Sequence, residues 1–324
     1  MPFYLCALII ALGLSGFVPA PLANAQDEFI STVRAGKLLF AGISINHSPD
    51  TWWLVDTGAT MCELDLDTAR GLQLKSSHRY RLTSRPKNRG EHFDFVEAPD
   101  LTIGTIQCGP LVVLAHPLVQ ALTDSPSPVH WRAAFDKTGL LGMNLLLAKH
   151  ALILWRLQRI YLDPGCDRVK SKADYEAEGY VTIPFTVTPS RQIEIDGKLG
   201  SNHHQFCLDT GTPQTMIEQT FVDQDRLRSQ LTHTVVRSPM KEFTDSKVSQ
   251  LIGTRFQLGD FDLSDRKILA ASFHLTKSAR GDIWAGLIGA DVLWEYDAVI
   301  DLGSDTLYLR RRARDHSSTV DGER

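Results

Sequence analysis

Short apolar runs broken by turn residues fill the chain from residue 36 onward. Runs of this kind, bounded by Gly, Pro, Asn or Asp, predict β-strands. In the first half, here residues up to 165, the predicted strands span 38–40, 43–45, 52–55, 101–106, 111–115, 151–153 and 160–162, with one short predicted helix at 144–150. The pattern indicates an all-β protein.

The second half of the chain replays this order of strands. The predicted strands there span 256–261, 267–270, 298–300 and 307–309. Four matched features lie at offsets of 153 (209 − 56), 155 (259 − 104), 147 (289 − 142) and 147 (308 − 161) residues. A near-constant offset predicts an internal duplication. Two repeats of this length are expected to form two lobes related by a pseudo-twofold axis.

The same tripeptide, Asp-Thr-Gly, ends one predicted strand in each half. The apolar run 53–55 leads into the first copy, and the run 206–208 leads into the second. The strand fixes the backbone, and Gly permits a tight turn without a Cβ clash. The carboxylate is thereby left at a loop instead of inside a sheet. The residues of these loops are Asp56, Thr57, Gly58, Ala59, Asp209, Thr210, Gly211 and Thr212.

These paired motifs resemble those of the aspartic peptidases, and the resemblance extends over both halves. It implies an all-β fold with two pseudo-twofold-related acid-protease-type β-barrel lobes and the active site in the cleft between them. It also implies that Asp56 and Asp209 are catalytic, and that each motif threonine hydrogen bonds to the opposite loop. In that family a hydrophobic-hydrophobic-Gly segment packs beside each loop, a role that fits Leu140, Leu141, Gly142, Leu287, Ile288 and Gly289.

Two facing carboxylates can hydrolyse a peptide without a metal or a covalent nucleophile. Because like charges about 3 Å apart share one proton, one carboxylate serves as base while the other serves as acid, the known behaviour of the aspartic proteases. The halves differ after the tripeptide, where Ala59 in one corresponds to Thr212 in the other. A hydroxyl donor favours the charged carboxylate. We therefore hypothesise that Asp209 ionises more readily and that Asp56 carries the shared proton.

Ala59 is more similar to the retroviral branch of the family, since pepsin-like enzymes usually have Ser there. The chain looks like two retroviral-type lobes fused in one polypeptide, and neither branch's substrate pockets carry over to it. Residues 79–90 are polar and basic. They have two interpretations, a flap that closes over substrate, as in the family, or a solvated loop.

Composition adds expectations about location and partners. The net charge of −4 provides no basic field for nucleic acid. Residues 1–25 have the apolar core and small-x-small end of a signal peptide, which predicts a periplasmic or secreted protein, with a retained membrane anchor as the alternative.

The predicted domains are lobes at 26–166 and 167–310 and a disordered tail at 311–324. After signal removal, Cys62, Cys108, Cys166 and Cys207 permit two disulfides in three pairings.

The preferred function is thus an aspartic endopeptidase that acts as a monomeric pseudo-dimer on peptides or unfolded protein. We expect no membrane span after signal removal, no cofactor and no metal, because His203 and His204 on a polar loop are usually solvated. An exported binding protein on the same fold that no longer cleaves is the main alternative, since fold does not prove activity. An unrelated β protein with chance motifs is a further alternative.

Overall fold

The computed structural model describes residues 29–77, 94–118, 139–165, 169–236, 246–272 and 284–311. These residues form two β-sheets and five short helices, so the fold is mostly β. The first half contains β1 (Ile30–Ala35), β2 (Leu38–Ile45), β3 (Thr51–Val55), β4 (Glu63–Asp65), α1 (Leu66–Gly71), β5 (Lys75–Ser76), β6 (Asp94–Ala98), β7 (Leu101–Ile103), β8 (Ile106–Gln107), β9 (Leu111–His116), β10 (Gly139–Leu141), α2 (Met143–Ala148), β11 (Leu152–Leu154) and β12 (Arg159–Tyr161).

The second half begins with a helix and continues with short strands. It contains α3 (Lys172–Ala177), β13 (Val181–Pro184), β14 (Thr186–Val187), β15 (Ile193–Leu199), β16 (Asn202–Leu208), β17 (Met216–Glu218), α4 (Gln219–Gln224), β18 (Ser229–Val236), β19 (Ser246–Leu251), β20 (Phe256–Leu258), β21 (Phe261–Asp262), β22 (Leu269–Ala271), β23 (Gly286–Ile288), α5 (Ala290–Glu295), β24 (Val299–Asp301) and β25 (Thr306–Leu309).

The same strand pairings recur in the two halves. In the first, β3 runs parallel to β10, which is antiparallel to β4, and β4 is parallel to β9. In the second, β16 runs parallel to β23, which is antiparallel to β17, and β17 is parallel to β22. Such a recurrence of pairings is what a duplicated chain would show. Each half holds its Asp-Thr-Gly strand beside its own hydrophobic-hydrophobic-Gly segment.

Strands from the two halves meet within one sheet. β11 pairs antiparallel with β24, and Ile153 lies opposite Ile300. The offset between these residues is 147 (300 − 153), the value found for the later features of the repeat. Equivalent residues thus face each other where the halves join. On one face of this sheet Tyr175 from α3 stacks on Tyr308, with ring centroids 4.2 Å apart.

The apolar side chains of the strands form the core. Strand β2 is buried along nearly its whole length because β1, β3 and β7 all pair with it. Trp53, Phe206 and Phe256 are fully buried beside it or in the matching position of the second half. This packing fixes the direction of β3 and β16, the two strands that carry the Asp-Thr-Gly loops.

Some expectations concern parts of the chain outside the described residues. These are residues 1–28, the 79–90 segment, Cys166 and the tail from 312. Arg311, predicted to begin the tail, bonds to Asp265 at 2.9 Å. No disulfide joins the described cysteines Cys62, Cys108 and Cys207 to one another. In the described ranges, no helix combines the length and apolar content needed to cross a membrane.

Candidate active site

The two Asp-Thr-Gly loops begin where β3 and β16 end, and matching backbone bonds hold them. The Asp56 N–H donates to the carbonyl oxygen of Leu141 at 3.1 Å, and the Asp209 N–H donates to that of Ile288 at 3.0 Å. Both acceptors lie in the hydrophobic-hydrophobic-Gly segments. Leu140 and Leu141 pair with β3, Leu287 and Ile288 pair with β16, and Gly142 and Gly289 follow directly in the chain.

The two threonines join the loops through four hydrogen bonds. The Thr57 hydroxyl donates to the Leu208 carbonyl at 2.8 Å and accepts the Thr210 N–H at 3.1 Å. The Thr210 hydroxyl donates to the Val55 carbonyl at 2.7 Å and accepts the Thr57 N–H at 2.9 Å. Both threonine side chains are fully buried. Buried hydrogen bonds of this kind hold each loop in register with the other.

Each motif glycine lies against the carboxylate of the opposite half. A Cβ added to Gly58 would lie 2.7 Å from Asp209 Cγ, and one added to Gly211 would lie 2.5 Å from Asp56 Cγ. Such distances are shorter than any real Cβ contact, so a side chain at either position would displace the carboxylate. Because Gly58 and Gly211 have no Cβ, each loop leaves room for the carboxylate of the opposite loop, and Asp56 and Asp209 can approach each other.

Hydrogen bonds orient the two carboxylates within their own loops. Asp56 Oδ1 accepts the Gly58 N–H at 2.8 Å and the Ala59 N–H at 3.2 Å. Asp209 Oδ1 accepts the Gly211 N–H at 3.0 Å, and its Oδ2 accepts the Thr212 hydroxyl at 2.8 Å. The hydroxyl bond exists only in the second half, because Ala59 has no donor on its side chain.

The surroundings of Asp56 and Asp209 shift the pKa values of the two carboxyls differently. Burial, followed by the negative charge of Asp209, raises the pKa of Asp56 well above its ordinary value. Burial also raises the pKa of Asp209, but the Thr212 hydroxyl and the Gly211 N–H oppose that rise. The hydrogen bond from Thr212 thus favours ionisation of Asp209, and a proton shared by the pair resides preferentially on Asp56.

Side chains behind the loops form a second layer that was missed from the sequence. In the first half Asn144 Oδ1 accepts the Cys62 N–H at 2.7 Å. In the second half Asp291 Oδ1 accepts both the N–H of Thr215, at 2.7 Å, and its hydroxyl, at 2.8 Å. The repeat offsets could have found them, since 144 + 147 = 291 and 62 + 153 = 215.

The second layers differ in charge. Arg266 donates to Asp291 at 2.5 Å with both side chains largely buried, whereas Asn144 in the first half is neutral.

The Cys62 thiol accepts the Gly142 N–H at 3.3 Å, and the Thr215 hydroxyl accepts the Gly289 N–H at 3.0 Å. Burial raises the pKa of Cys62 to about 12, which keeps its sulfur protonated and unreactive.

The remaining candidates do not join this site. His204 bonds to Asp225 at 2.7 Å and packs edge-on against Phe221, and His203 is exposed. Over the part of the chain that the structure describes, no group of three or more His, Cys, Asp and Glu side chains is arranged to hold a metal ion.

One comparison agrees with the family resemblance for part of the chain. A family model described as aspartyl protease matches residues 41–145, which include the first Asp-Thr-Gly loop, its packing segment and Asn144. No curated protein matches the chain.

Two solved structures match over most of the chain at low identity. The basic 7S globulin from soybean has a TM-score of 0.41 and 13% identity, covering 90% of this chain and 96% of its own. Conglutin gamma, a basic 7S globulin from lupine seeds, has a TM-score of 0.40 and 11% identity, covering 88% and 95%.

Proposed function

We propose that this protein is an aspartic endopeptidase whose active site lies in a cleft between two lobes, one from each half. The observation that carries the proposal is the facing of Asp56 and Asp209, each against the glycine of the opposite loop. The family match to residues 41–145 supports the same chemistry for the first loop. The second loop repeats the geometry of the first, bond for bond, at the Asp N–H and at the threonines.

The hydrogen bond from Thr212 to Asp209 has no counterpart at Asp56, and this difference assigns the base role to Asp209 and the acid role to Asp56. Ionised Asp209 takes a proton from water, and the water oxygen attacks the carbonyl carbon of the scissile bond. Protonated Asp56 donates its proton to the carbonyl oxygen. When the tetrahedral intermediate collapses, the C–N bond breaks and the proton held by Asp209 passes to the leaving nitrogen. The hydroxyl proton of the intermediate returns to Asp56, and the pair regains its single proton.

The proposed substrate is a peptide or an unfolded protein, and the proposed protein is a monomer with an internal pseudo-dimer. We also propose export from the cytoplasm on residues 1–25. Expression of the full chain, followed by N-terminal sequencing of the product, tests that point. Cleavage before Gln26 supports export with removal of the signal peptide, whereas retention of Met1 or of the apolar run contradicts it.

The central experiment measures cleavage of an unfolded protein from acid to neutral pH by wild type, Asp56→Asn, Asp209→Asn and Asp67→Asn. Asp67 is a control, since its side chain is 88% exposed and its ion pair is with Arg70 at the surface. We expect each loop variant to lose about 10²–10⁴-fold in kcat/KM, the usual contribution of a general acid or base. Circular dichroism should show that both remain folded.

The outcomes separate the two functions. Loss in both loop variants but not in Asp67→Asn supports a peptidase that uses one carboxylate from each half. Undiminished cleavage in either loop variant contradicts the mechanism. If folded wild type binds unfolded protein without cleaving it, the protein is a binding protein on this fold.

A further inference from the structure

Glu63 is a carboxylate set among apolar side chains. In β4 it lies opposite Leu140 of β10 on one side and opposite Leu114 of β9 on the other, and Leu114 in turn lies opposite Phe95 of β6. Residues opposite each other in neighbouring strands share a sheet face. These four side chains therefore form one strip, which we name the first-half strip. Its other three members are apolar.

The first-half strip does not belong to the main core. Leu64, the next residue of β4, is fully buried in that core, and successive side chains of a strand point to opposite faces. Glu63 therefore points away from the main core. Leu114 and Phe95 form a separate small cluster with Met61 on that side.

The strip adjoins the proposed catalytic pair. Leu140 immediately precedes Leu141, the residue that accepts the Asp56 N–H. The negative charge of Glu63 is close enough to contribute to the raised pKa of Asp56. A substrate chain lying over Asp56 would therefore pass Glu63 on the first-half side of the cleft.

The second half has a neutral version of the same strip. Met216 takes the place of Glu63, opposite Leu287 of β23 and Leu269 of β22, and Leu269 lies opposite Gln250 of β19. The sequence offset is 153 (216 − 63), the same as that between the two aspartates. The two sides of the proposed catalytic pair therefore differ chemically, with Glu63 and Phe95 on the first side and Met216 and Gln250 on the second.

His116 bonds to one carboxylate oxygen of Glu63. The His116 Nε2 lies 2.6 Å from Glu63 Oε2, and the two side chains are 15% and 21% exposed. In the described ranges no residue hydrogen bonds to Glu63 Oε1. If the only role of Glu63 were to link β4 to β9 through His116, the histidine bond would be explained. The placement of a carboxylate between Leu140 and Leu114 would remain unexplained.

We propose that Glu63 is a specificity-determining residue, and that the first-half strip accepts a long basic side chain of the substrate, Lys or Arg. The methylene groups of that side chain would pack on Leu140 and Leu114, and its cation would bond to Glu63 Oε1. The Met216 side would accept an apolar side chain. This inference rests on the proposed function and names the substrate class of the same site.

The test compares peptides that differ at one position near the scissile bond, with either lysine or norleucine there. Norleucine keeps the aliphatic stem and removes the cation. We expect wild type to favour lysine at one position by about tenfold or more in kcat/KM, as for a charge-assisted hydrogen bond. Glu63→Gln should bring the ratio close to one. Met216→Glu should create a second lysine preference at a position on the other side of the scissile bond.

The ratio of kcat/KM for the lysine peptide to that for the norleucine peptide distinguishes recognition of the cation by Glu63 from a structural role of Glu63. A structural tie would lower activity on both peptides equally and leave the ratio unchanged, which would overturn the proposal. A wild type with no lysine preference at any position would also overturn it. Thermal unfolding of Glu63→Gln identifies any loss of fold independently of the ratio.

A binding measurement keeps this proposal separate from the proposed function. Fluorescence anisotropy of the same labelled peptides is measured with Asp209→Asn and with Asp209→Asn/Glu63→Gln. Tighter binding of the lysine peptide that Glu63→Gln abolishes supports the subsite, even if wild type cleaves nothing. Equal binding of both peptides, or no binding, overturns it.

Discussion

Thr57 and Thr210 exchange hydrogen bonds so that each hydroxyl bonds to two backbone groups of the other half. Each hydroxyl donates to the carbonyl that lies two residues before the other threonine and accepts that threonine's own N–H. The donor and acceptor are separated by about 150 residues of sequence, 153 in the case of the N–H bonds. The relative position of the two aspartates is therefore set by side chains that are themselves uncharged.

Thr57→Val should destabilise the protein strongly. Valine has the same shape as threonine but leaves the Thr210 N–H and the Leu208 carbonyl without their hydroxyl partner in a buried place. Each unsatisfied buried group costs about 1–3 kcal/mol, so we expect the free energy of unfolding to fall by about 2–5 kcal/mol. Urea denaturation measures it. Thr57→Ser, which keeps the hydroxyl, should lose far less, and equal losses in the two variants would contradict the role of the bonds.

Thr212→Ala should move the acidic limb of the pH–rate profile upward. The Thr212 hydroxyl lowers the pKa of Asp209 by bonding to its ionised form, so its removal lets that pKa rise. A bond to a charged group worth about 1.5 kcal/mol corresponds to roughly one pH unit. The profile of kcat/KM against pH checks the shift. An acidic limb that does not move would show that Thr212 has no part in the asymmetry.

The paired carboxylates should make the protein less stable as pH rises. Both pKa values are raised in the folded state, so between the unfolded value near 3.9 and the folded values the native protein binds more protons than the unfolded chain. The contribution of this pair to stability is therefore greatest at low pH and is lost as pH rises through the folded pKa values, by up to about 1.4 kcal/mol per pH unit for each carboxyl.

Asp56→Asn removes one of these carboxyls while keeping an oxygen acceptor for the N–H groups of Gly58 and Ala59. Its melting temperature should exceed that of wild type by an amount that grows from pH 4 to pH 7. Calorimetry over this range measures the difference. Asp67→Asn should show no such trend, and a constant difference for Asp56→Asn would contradict the raised pKa of the pair.

Gly211→Ala should abolish cleavage while the protein stays folded. The new methyl group would lie 2.5 Å from Asp56 Cγ and force that carboxylate out of place. We expect a loss comparable to that of Asp56→Asn, because a displaced acid cannot reach the substrate oxygen. Gly71→Ala is the control, since nothing lies within 4 Å of a Cβ there. Cleavage by Gly211→Ala at the wild-type rate would show that the carboxylates do not meet as described.

The sequence predicted the repeated elements well because local signals define them. The predicted strands at 52–55 and 111–115 correspond closely to β3 and β9, and the predicted helix at 144–150 corresponds to α2. The runs 38–40 and 43–45 were predicted as two strands, but they form the single strand β2. Gly42 between them has a polar and an aromatic neighbour within 4 Å and stays extended within the ladder, so it does not form a turn.

Long-range partners could not be derived from one-dimensional patterns. Asn144 reads as a helix residue, and its bond to the Cys62 N–H exists only because β10 and β4 are neighbours. Likewise, Glu63 and His116 are separated by 53 residues, and only the parallel pairing of β4 with β9 brings them together. The paired aspartates were found because their surroundings occur twice, a signal that single residues such as Glu63 lack.

The pairing of β11 with β24 has a consequence for the order of synthesis. While the chain is being translated, the edge of β11 stays without its partner until Val299–Asp301 has left the ribosome. Strand β23 (Gly286–Ile288), which holds the loop of Asp209, is made after both Asp56 and Asp209. A growing polypeptide therefore contains the first carboxylate without a fixed second one. The two carboxylates can therefore meet only after segments far apart in the sequence have both been made and have paired.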